Sequence, residues 1–256
     1  MQRAIDRIAE LPGAALGGFS DDAIRFAAAG WPLRAAEELR SALIYRALAH
    51  ASASVMAAPW PERFAAVMRE ELGHARLCVA VATRLGATRP TYDASPVRAR
   101  LAELSEPRKR TATLVLSEVA IGETISMALF RAGRRTTREP LSRAALEWIL
   151  ADEVRHQRLG WSALAVLWPA LSSAELDVLQ REASRTFAAS ETQIAVPVLR
   201  RLEAGEPFDP AWAELGVLPF ATRVDAYYFA IERFVVPRLT RLGLDGARAW
   251  AERYRP

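Results

Sequence analysis

Two of the three histidines in this chain follow a glutamate at the same spacing. The two pairs are Glu71-x-x-His74 and Glu153-x-x-His156. On a helix, positions i and i+3 share a face, so the carboxylate and the imidazole of each pair can reach the same point in the core. Each pair can therefore offer one oxygen and one nitrogen ligand to a metal ion. Because histidine is scarce, two chance copies of this spacing are not expected.

A dinuclear site between four helices also needs one glutamate from each of the other two helices. The first long helical segment contains Glu37 and Glu38. Glu38 precedes Glu71 by 33 residues, a suitable length for a helix, a turn and part of a second helix. Tyr45 lies two turns after Glu38 on the same face. We therefore favour Glu38 as the inward residue, with Glu37 as the alternative ligand.

The third helical segment offers Glu118 and Glu123. Five positions correspond to about 140° on an ideal α-helix, so that such a helix would not present both carboxylates equally to one metal pair. Glu123 lies 30 residues before Glu153, and we expect the two to be level across the turn between their helices. We favour Glu123 as the ligand. Glu118 is then an alternative ligand or a residue that orients the ligands.

The combined pattern resembles the ferritin-like superfamily of di-iron carboxylate proteins over residues 31–168. DEVRH at 152–156 is similar to the second motif of soluble acyl-carrier desaturases and bacterial multicomponent monooxygenases, and GET at 122–124 resembles the third-helix motif of those monooxygenases. The Glu38/Tyr45 pair resembles that of ferritins and bacterioferritins. The usual rubrerythrin is excluded, because the chain lacks rubredoxin-type cysteines.

The resemblance implies an enzyme with two iron ions, or a mixed Mn/Fe pair, that activates O₂ to oxidise or oxygenate a small organic substrate. Carboxylate-rich ligation suits iron or manganese better than zinc or copper. A ferredoxin or reductase would supply electrons. Iron storage and tRNA hydroxylation are the alternative functions. The expected ligands are Glu38, Glu71 and His74 for one ion and Glu123, Glu153 and His156 for the other, with Glu71 and Glu153 bridging.

Two further residues are candidates for roles beside the metal. For Tyr45 we consider three roles: a redox-active phenol, a hydrogen-bond partner of the site, or a core tyrosine. For Thr124 we consider two roles: gating a proton, or a hydrogen bond within its own turn. We expect apolar side chains to restrict water and shape a substrate pocket. Those expected to do so are Leu116, Val119, Met127, Phe130, Ile149 and Leu150.

Other polar residues are expected to be structural. His50 has no acidic residue at helical spacing and is expected to be solvated or hydrogen-bonded, and Cys78 is expected to be a buried thiol. Glu70 and Glu147, like Glu37, lie among arginines and are expected to form exposed ion pairs along their own helices.

The apolar residues recur at intervals of three and four, which predicts an all-α fold, a ferritin-like four-helix bundle with additional C-terminal helices. We expect one domain, 1–256, with a four-helix di-metal core at 31–168 and accessory helices at 169–256. Proline and glycine positions predict four long helices at 31–58, 61–86, 107–132 and 140–168, with a short helical piece at 97–104. In the C-terminal part they predict a helix at 172–203 kinked at Pro197, a loop at 207–219, and a last helix at 226–240 interrupted near Pro237.

Composition limits the class of protein. With 51% hydrophobic and 25% charged residues, the chain is expected to fold rather than to be disordered. A single cysteine, the absence of a signal-like N-terminus and the absence of a span-like apolar run predict a cytoplasmic protein that does not enter a membrane. The enzyme hypothesis, unlike iron storage, also predicts a monomer or homodimer. The net charge is +4, but Lys109 is the only lysine. We read the arginine excess as genomic bias and expect no nucleic-acid partner.

Overall fold

A computed structural model describes residues 8–87 and 91–255. All regular elements in these residues are helical, which confirms the predicted all-α class. The first five helices are α1 (Asp21–Ser52), α2 (Trp60–Arg84), α3 (Ser95–Glu103), α4 (Pro107–Thr136) and α5 (Pro140–Leu167). A 3₁₀ turn follows at Trp168–Ala170. The following helices are α6 (Ser173–Ile194), α7 (Val196–Glu203), α8 (Pro210–Glu214), α9 (Phe220–Ala230), α10 (Val236–Leu242) and α11 (Gly246–Ala251), and a π-helical segment, Ile231–Val235, connects α9 to α10.

Four long helices surround a common interior. Helix α1 packs along α2 and against α4, while α5 packs against α4 and α2. Two apolar clusters fill this interior. One contains Ala35, Leu77 and Ile149, and the other contains Ile44, Val67 and Ala163. The residues between these positions on α1, α2 and α5 are where the predicted ligands lie, so a polar layer separates the two clusters.

The first helix begins ten residues before the predicted start. Ser20 caps it by accepting a hydrogen bond from the Ala23 backbone N–H, and Asp21 and Asp22 occupy its first turn, where the helix dipole favours negative charge. Pro32 therefore lies inside the helix, and the interpretation of this proline as a first-turn residue was wrong. Helix α4 also continues to Thr136, four residues past its predicted end.

The C-terminal part differs more from the sequence-based expectation. Ser172 caps α6 through a capping box with Glu175, and a break at Ala195 replaces the predicted kink at Pro197. The predicted loop contains α8, and α9 begins at Phe220, six residues early. Tyr227 of α9 and Phe187 of α6 are buried in the same apolar cluster as residues of α4 and α5.

Helix α4 contains an apolar stretch that the sequence analysis overlooked. By length and hydropathy it is the one described helix that could cross a membrane, but 67% of its most apolar window is buried inside the protein. The high hydropathy therefore has a packing explanation, because neighbouring helices cover this one on most sides.

A π-helical segment, Val115–Gly122, interrupts the α-helical geometry of α4. Gly160 of α5 lies against the backbone of this segment. A Cβ atom at position 160 would stand 2.6 Å from both the carbonyl carbon and the carbonyl oxygen of Val119. Only glycine allows the two helices to approach this closely.

Replacing this glycine tests the close approach. We expect Gly160→Ala to lower the free energy of unfolding by about 1–3 kcal/mol, because backbone rather than a flexible side chain must move. Gly30→Ala is the matched control, since nothing lies within 4 Å of its added methyl group. That change should stabilise α1 by up to about 1 kcal/mol. Urea unfolding curves measure both, and equal stability of the two variants would contradict the packing described here.

Candidate metal centre

The structure brings the six predicted ligands together in the interior. Two overlapping groups of buried donors could each hold a metal ion, and the donor atoms of each group lie within 4.8 Å of one another. Glu71 and Glu153 belong to both groups. The first group adds Glu38 and His74, and the second adds Glu123 and His156. We refer to these six residues as the donor cluster.

Unpartnered polar atoms in the cluster fit a cation. Nδ1 of both histidines, Oε1 of Glu71 and Oε2 of Glu153 are buried without a hydrogen bond. Nδ1 of His156 lies 3.0 Å from Oε1 of Glu71, yet the two atoms do not form a hydrogen bond. Buried polar atoms without partners are costly in free energy. A metal ion between them would satisfy all four atoms.

The other nitrogen of each histidine is held by a carboxylate from the opposite helix. Nε2 of His74 lies 3.1 Å from Oδ2 of Asp152, and Nε2 of His156 lies 2.9 Å from Oε2 of Glu70. Arg155 donates to both carboxylates at 2.8 Å. If each Nε2 carries the proton, as these partners favour, each Nδ1 presents its lone pair to the cluster.

Sequence reasoning missed this reciprocal arrangement. Glu70 was expected to form an exposed pair on its own helix, but it pairs across helices with His156 and Arg155. The available signal was position, because Glu70 and Asp152 each directly precede a glutamate of the cluster. Glu147 does form exposed ion pairs, with Arg143 on its own helix and with Arg134.

The π-helical segment changes the relation between Glu118 and Glu123. Hydrogen bonds from i to i+5 bring residues five apart nearly into line, so the α-helical angle used for the sequence argument does not apply. Both side chains line the same cavity. Glu123 enters the donor cluster, whereas Glu118 accepts a hydrogen bond from Arg40 at 2.7 Å.

The two glutamates of α1 separate clearly. Glu38 is 5% exposed and lies in the cluster, while Glu37 is exposed and accepts a hydrogen bond from the Gln193 amide. His50 is exposed. Cys78 is a buried free thiol whose pKa is raised by burial.

Tyr45 and Thr124 have different surroundings. The Tyr45 hydroxyl donates a 2.7 Å hydrogen bond to Oε1 of Glu123, and burial and this carboxylate raise the pKa of the phenol. Thr124 instead donates to the Ala120 carbonyl within its own turn and accepts a hydrogen bond from Trp161. Its hydroxyl is committed to positioning α4, and Thr124 does not line the cavity beside the cluster.

A cavity of about 640 Å³ reaches Glu38, Glu71, Glu123 and Glu153. Of the six apolar side chains expected around the ions, only Phe130 lines it. Three of the others, Leu116, Val119 and Ile149, pack in the apolar clusters of the core instead. Besides Phe130, the apolar lining includes Ile44, Ile125, Leu129, Leu146 and Leu218.

Protons partly compensate the buried charges in the absence of metal. Burial, followed by the charge of Glu71, raises the pKa of Glu38, and burial with the charge of Glu153 raises that of Glu123. Burial opposes protonation of His74, but its hydrogen bond to Asp152 and the nearby Glu38 carboxylate outweigh burial and raise the pKa. The two neighbouring histidines lower the pKa of Glu71 despite its burial.

The chain matches no model of a known protein family and no curated protein sequence. The function must therefore be inferred from the geometry and chemistry of the cluster.

The pKa shifts predict that the metal-free protein loses stability as the pH rises. Glu38, Glu123 and His74 have raised pKa values, so these groups bind more protons in the folded than in the unfolded state, from about pH 4.3 upward for the glutamates and from about pH 6.5 upward for the histidine. Their contribution is lost as the pH passes through the folded values. Urea unfolding of metal-free protein should therefore show lower stability at about pH 8.5 than at about pH 6.

The same measurement with Mn(II) provides the contrast. Metal displaces these protons, so Mn(II) should stabilise the fold more at the higher pH. Stability of the metal-free protein that rises over this interval would contradict the described charge arrangement.

The reciprocal carboxylates predict a loss of metal affinity on substitution. Asp152→Ala removes the partner of His74 Nε2 and should weaken Mn(II) binding about ten- to hundred-fold. Asp152→Asn keeps an acceptor and should lose less. Glu147→Ala, at an exposed position, is the control, and the fraction of free Mn(II) measured by electron paramagnetic resonance gives the affinity. Equal affinities for Asp152→Ala and Glu147→Ala would show that Asp152 does not orient a ligand.

Proposed function

We propose that the protein is a non-haem di-iron or Mn/Fe enzyme with a ferritin-like four-helix core, which activates O₂ to oxidise or oxygenate a small organic molecule. The observation that supports this most directly is the sharing of Glu71 and Glu153 by two donor groups. Shared carboxylates are what a bridged pair of ions needs. Two separate mononuclear sites would have no such overlap.

The proposed ligands follow from the two donor groups. One ion would be held by Glu38 and His74 and the other by Glu123 and His156, while Glu71 and Glu153, which belong to both groups, would serve both ions. Four carboxylates and two imidazoles favour iron or manganese over zinc or copper. When bound, a pair of Fe(II) ions supplies electrons for O₂ reduction, and a ferredoxin or reductase renews them.

The side chains around the cluster have three tasks in this proposal. Asp152 and Glu70 hold the imidazoles in one tautomer, Tyr45 orients the Glu123 carboxylate through its hydroxyl, and the adjoining cavity admits the organic substrate. This cavity favours an enzyme over an iron-storage protein. It is large enough to hold an organic molecule beside the donor cluster, and its lining is both apolar and charged.

Iron loading tests the proposal. Anaerobic addition of Fe(II) should fill about two sites per chain, and exposure to O₂ should then change the visible absorbance of the iron. Glu153→Ala removes a shared carboxylate and should abolish both the second equivalent and the absorbance change. The control, Glu147→Ala, should behave as the wild type.

An identical trace for Glu153→Ala and the wild type would overturn the site assignment. Size-exclusion chromatography separates the enzyme from storage, since an assembly of several hundred kilodaltons would favour a ferritin-like cage. Binding of tRNA that weakens steeply with salt would instead favour a tRNA hydroxylase.

A further inference from the structure

The cavity beside the donor cluster contains an unequal set of charges. Besides the cluster residues, its charged lining consists of Arg34, Arg40, Arg100, Arg185, Arg223, Glu37, Glu118 and Glu182. Arg40 pairs with Glu118 at 2.7 Å. Glu182 pairs with Arg100 at 2.6 Å and with Arg185 at 3.5 Å. Outside the donor cluster, whose own glutamates also reach the cavity, five cations thus face three acids, and three of the cations are neutralised by ion pairs.

Arg34 and Arg223 are the two that remain. Neither forms an ion pair with any residue in the described ranges 8–87 and 91–255. The single polar contact of the Arg34 side chain is a hydrogen bond from Nη2 to the Gly216 carbonyl. The Arg223 side chain has no hydrogen-bond partner among the described residues. Both guanidinium groups therefore keep N–H donors for a ligand.

Arg34 is held in place beside the donor cluster. Its guanidinium carbon lies 4.7 Å from the centroid of the Trp31 ring, and this contact, together with the Gly216 bond, restricts its orientation. Arg34 precedes Glu38 by one helical turn, so the two side chains share a face of α1. A ligand group on Arg34 would lie within one turn of the proposed metal site.

The electrostatics of this pair favour an anion. The pKa of Arg34 is lowered to about 10, mainly by burial; the charge of Arg223 acts in the same direction, and Cys78 and Glu38 act against it. Burial also lowers the pKa of Arg223. Two neighbouring cations that have lost water are stabilised by a bound carboxylate or phosphate, whose oxygens match the planar guanidinium donors.

The rest of the lining suits an apolar body. Ile125, Leu129 and Phe130 of α4 face the cavity together with Leu146 of α5, and Gly133 leaves room between them. Apolar surface of this kind contributes binding free energy when a ligand covers it and removes it from water, while a few charged groups fix the orientation of the ligand.

We propose that the organic substrate of this site is an amphiphilic anion, whose carboxylate or phosphate group binds Arg34 and Arg223 while its apolar body lies along α4. That the bound anion is a substrate rests on the proposed function. The binding site itself does not depend on the metal.

Calorimetric titration of the metal-free, full-length protein tests the inference with three probes that have a similar alkyl chain and different charged groups: octanoate, octyl phosphate and octylammonium. At least one anion should bind, and octylammonium should not. Arg34→Gln and Arg223→Gln should each weaken anion binding about ten-fold or more. Arg34→Lys keeps the positive charge but loses the planar, paired N–H donors of the guanidinium group, and it should retain part of the affinity for the anion. Preference between octanoate and octyl phosphate identifies the anionic group.

Arg238→Gln is the matched control. Arg238 is a partly buried arginine with an unpartnered Nη1, but it stacks on Trp161 and does not line the cavity. It should leave anion binding unchanged. Anion binding that is equal in wild type, Arg34→Gln and Arg223→Gln, or octylammonium binding as tight as that of the anions, would overturn the inference. Because no metal is present, these outcomes are independent of the iron-loading experiment, which alone decides the proposed function.

Discussion

Burial of four glutamates beside two histidines is costly, because each ionised group loses its water and like charges repel one another. In this protein the six groups occupy one layer between two apolar clusters of the core. The layer persists only if opposite charge is supplied inside it. Raised pKa values favour protons on Glu38, Glu123 and both histidines, which provide part of that charge in the metal-free protein; metal ions would provide it fully. The buried nitrogen and oxygen atoms of the cluster that lack a hydrogen bond are the atoms that such ions would contact.

Backbone geometry follows from this requirement. The π-helical segment of α4 brings Glu118 and Glu123 to the same side of the helix, where Glu123 enters the cluster and Glu118 takes up the charge of Arg40. Gly160 lets α5 approach that segment, so that Glu153 and Glu123 meet across the interface. A departure from ideal helix geometry and a missing side chain therefore act together to place two carboxylates within reach of one ion.

The surroundings of the cluster divide into an orienting side and an accessible side. On α2 and α5, Glu70 and Asp152 fix the histidines, and Arg155 ties these two carboxylates together. On α1 and α4, the cavity opens beside Glu38 and carries the unpaired Arg34. The histidines of the cluster are thus held from one side, while the cavity reaches the cluster from the other, and this separation suits the proposed function.

Sequence alone determined the helical class and the identity of the six cluster residues, because i,i+3 spacing and helix length act locally and leave a direct trace in the residue order. It also predicted that Glu38 rather than Glu37 faces inward, from the shared face with Tyr45. Three features depended on tertiary structure. The partners of the histidines come from the opposite helix, the angle between Glu118 and Glu123 depends on a π-helical distortion, and the charge balance of the cavity depends on which arginines meet a glutamate across helices. Each is a relation between segments far apart in the chain, or a distortion imposed by packing, and neither has a fixed spacing from which it can be read.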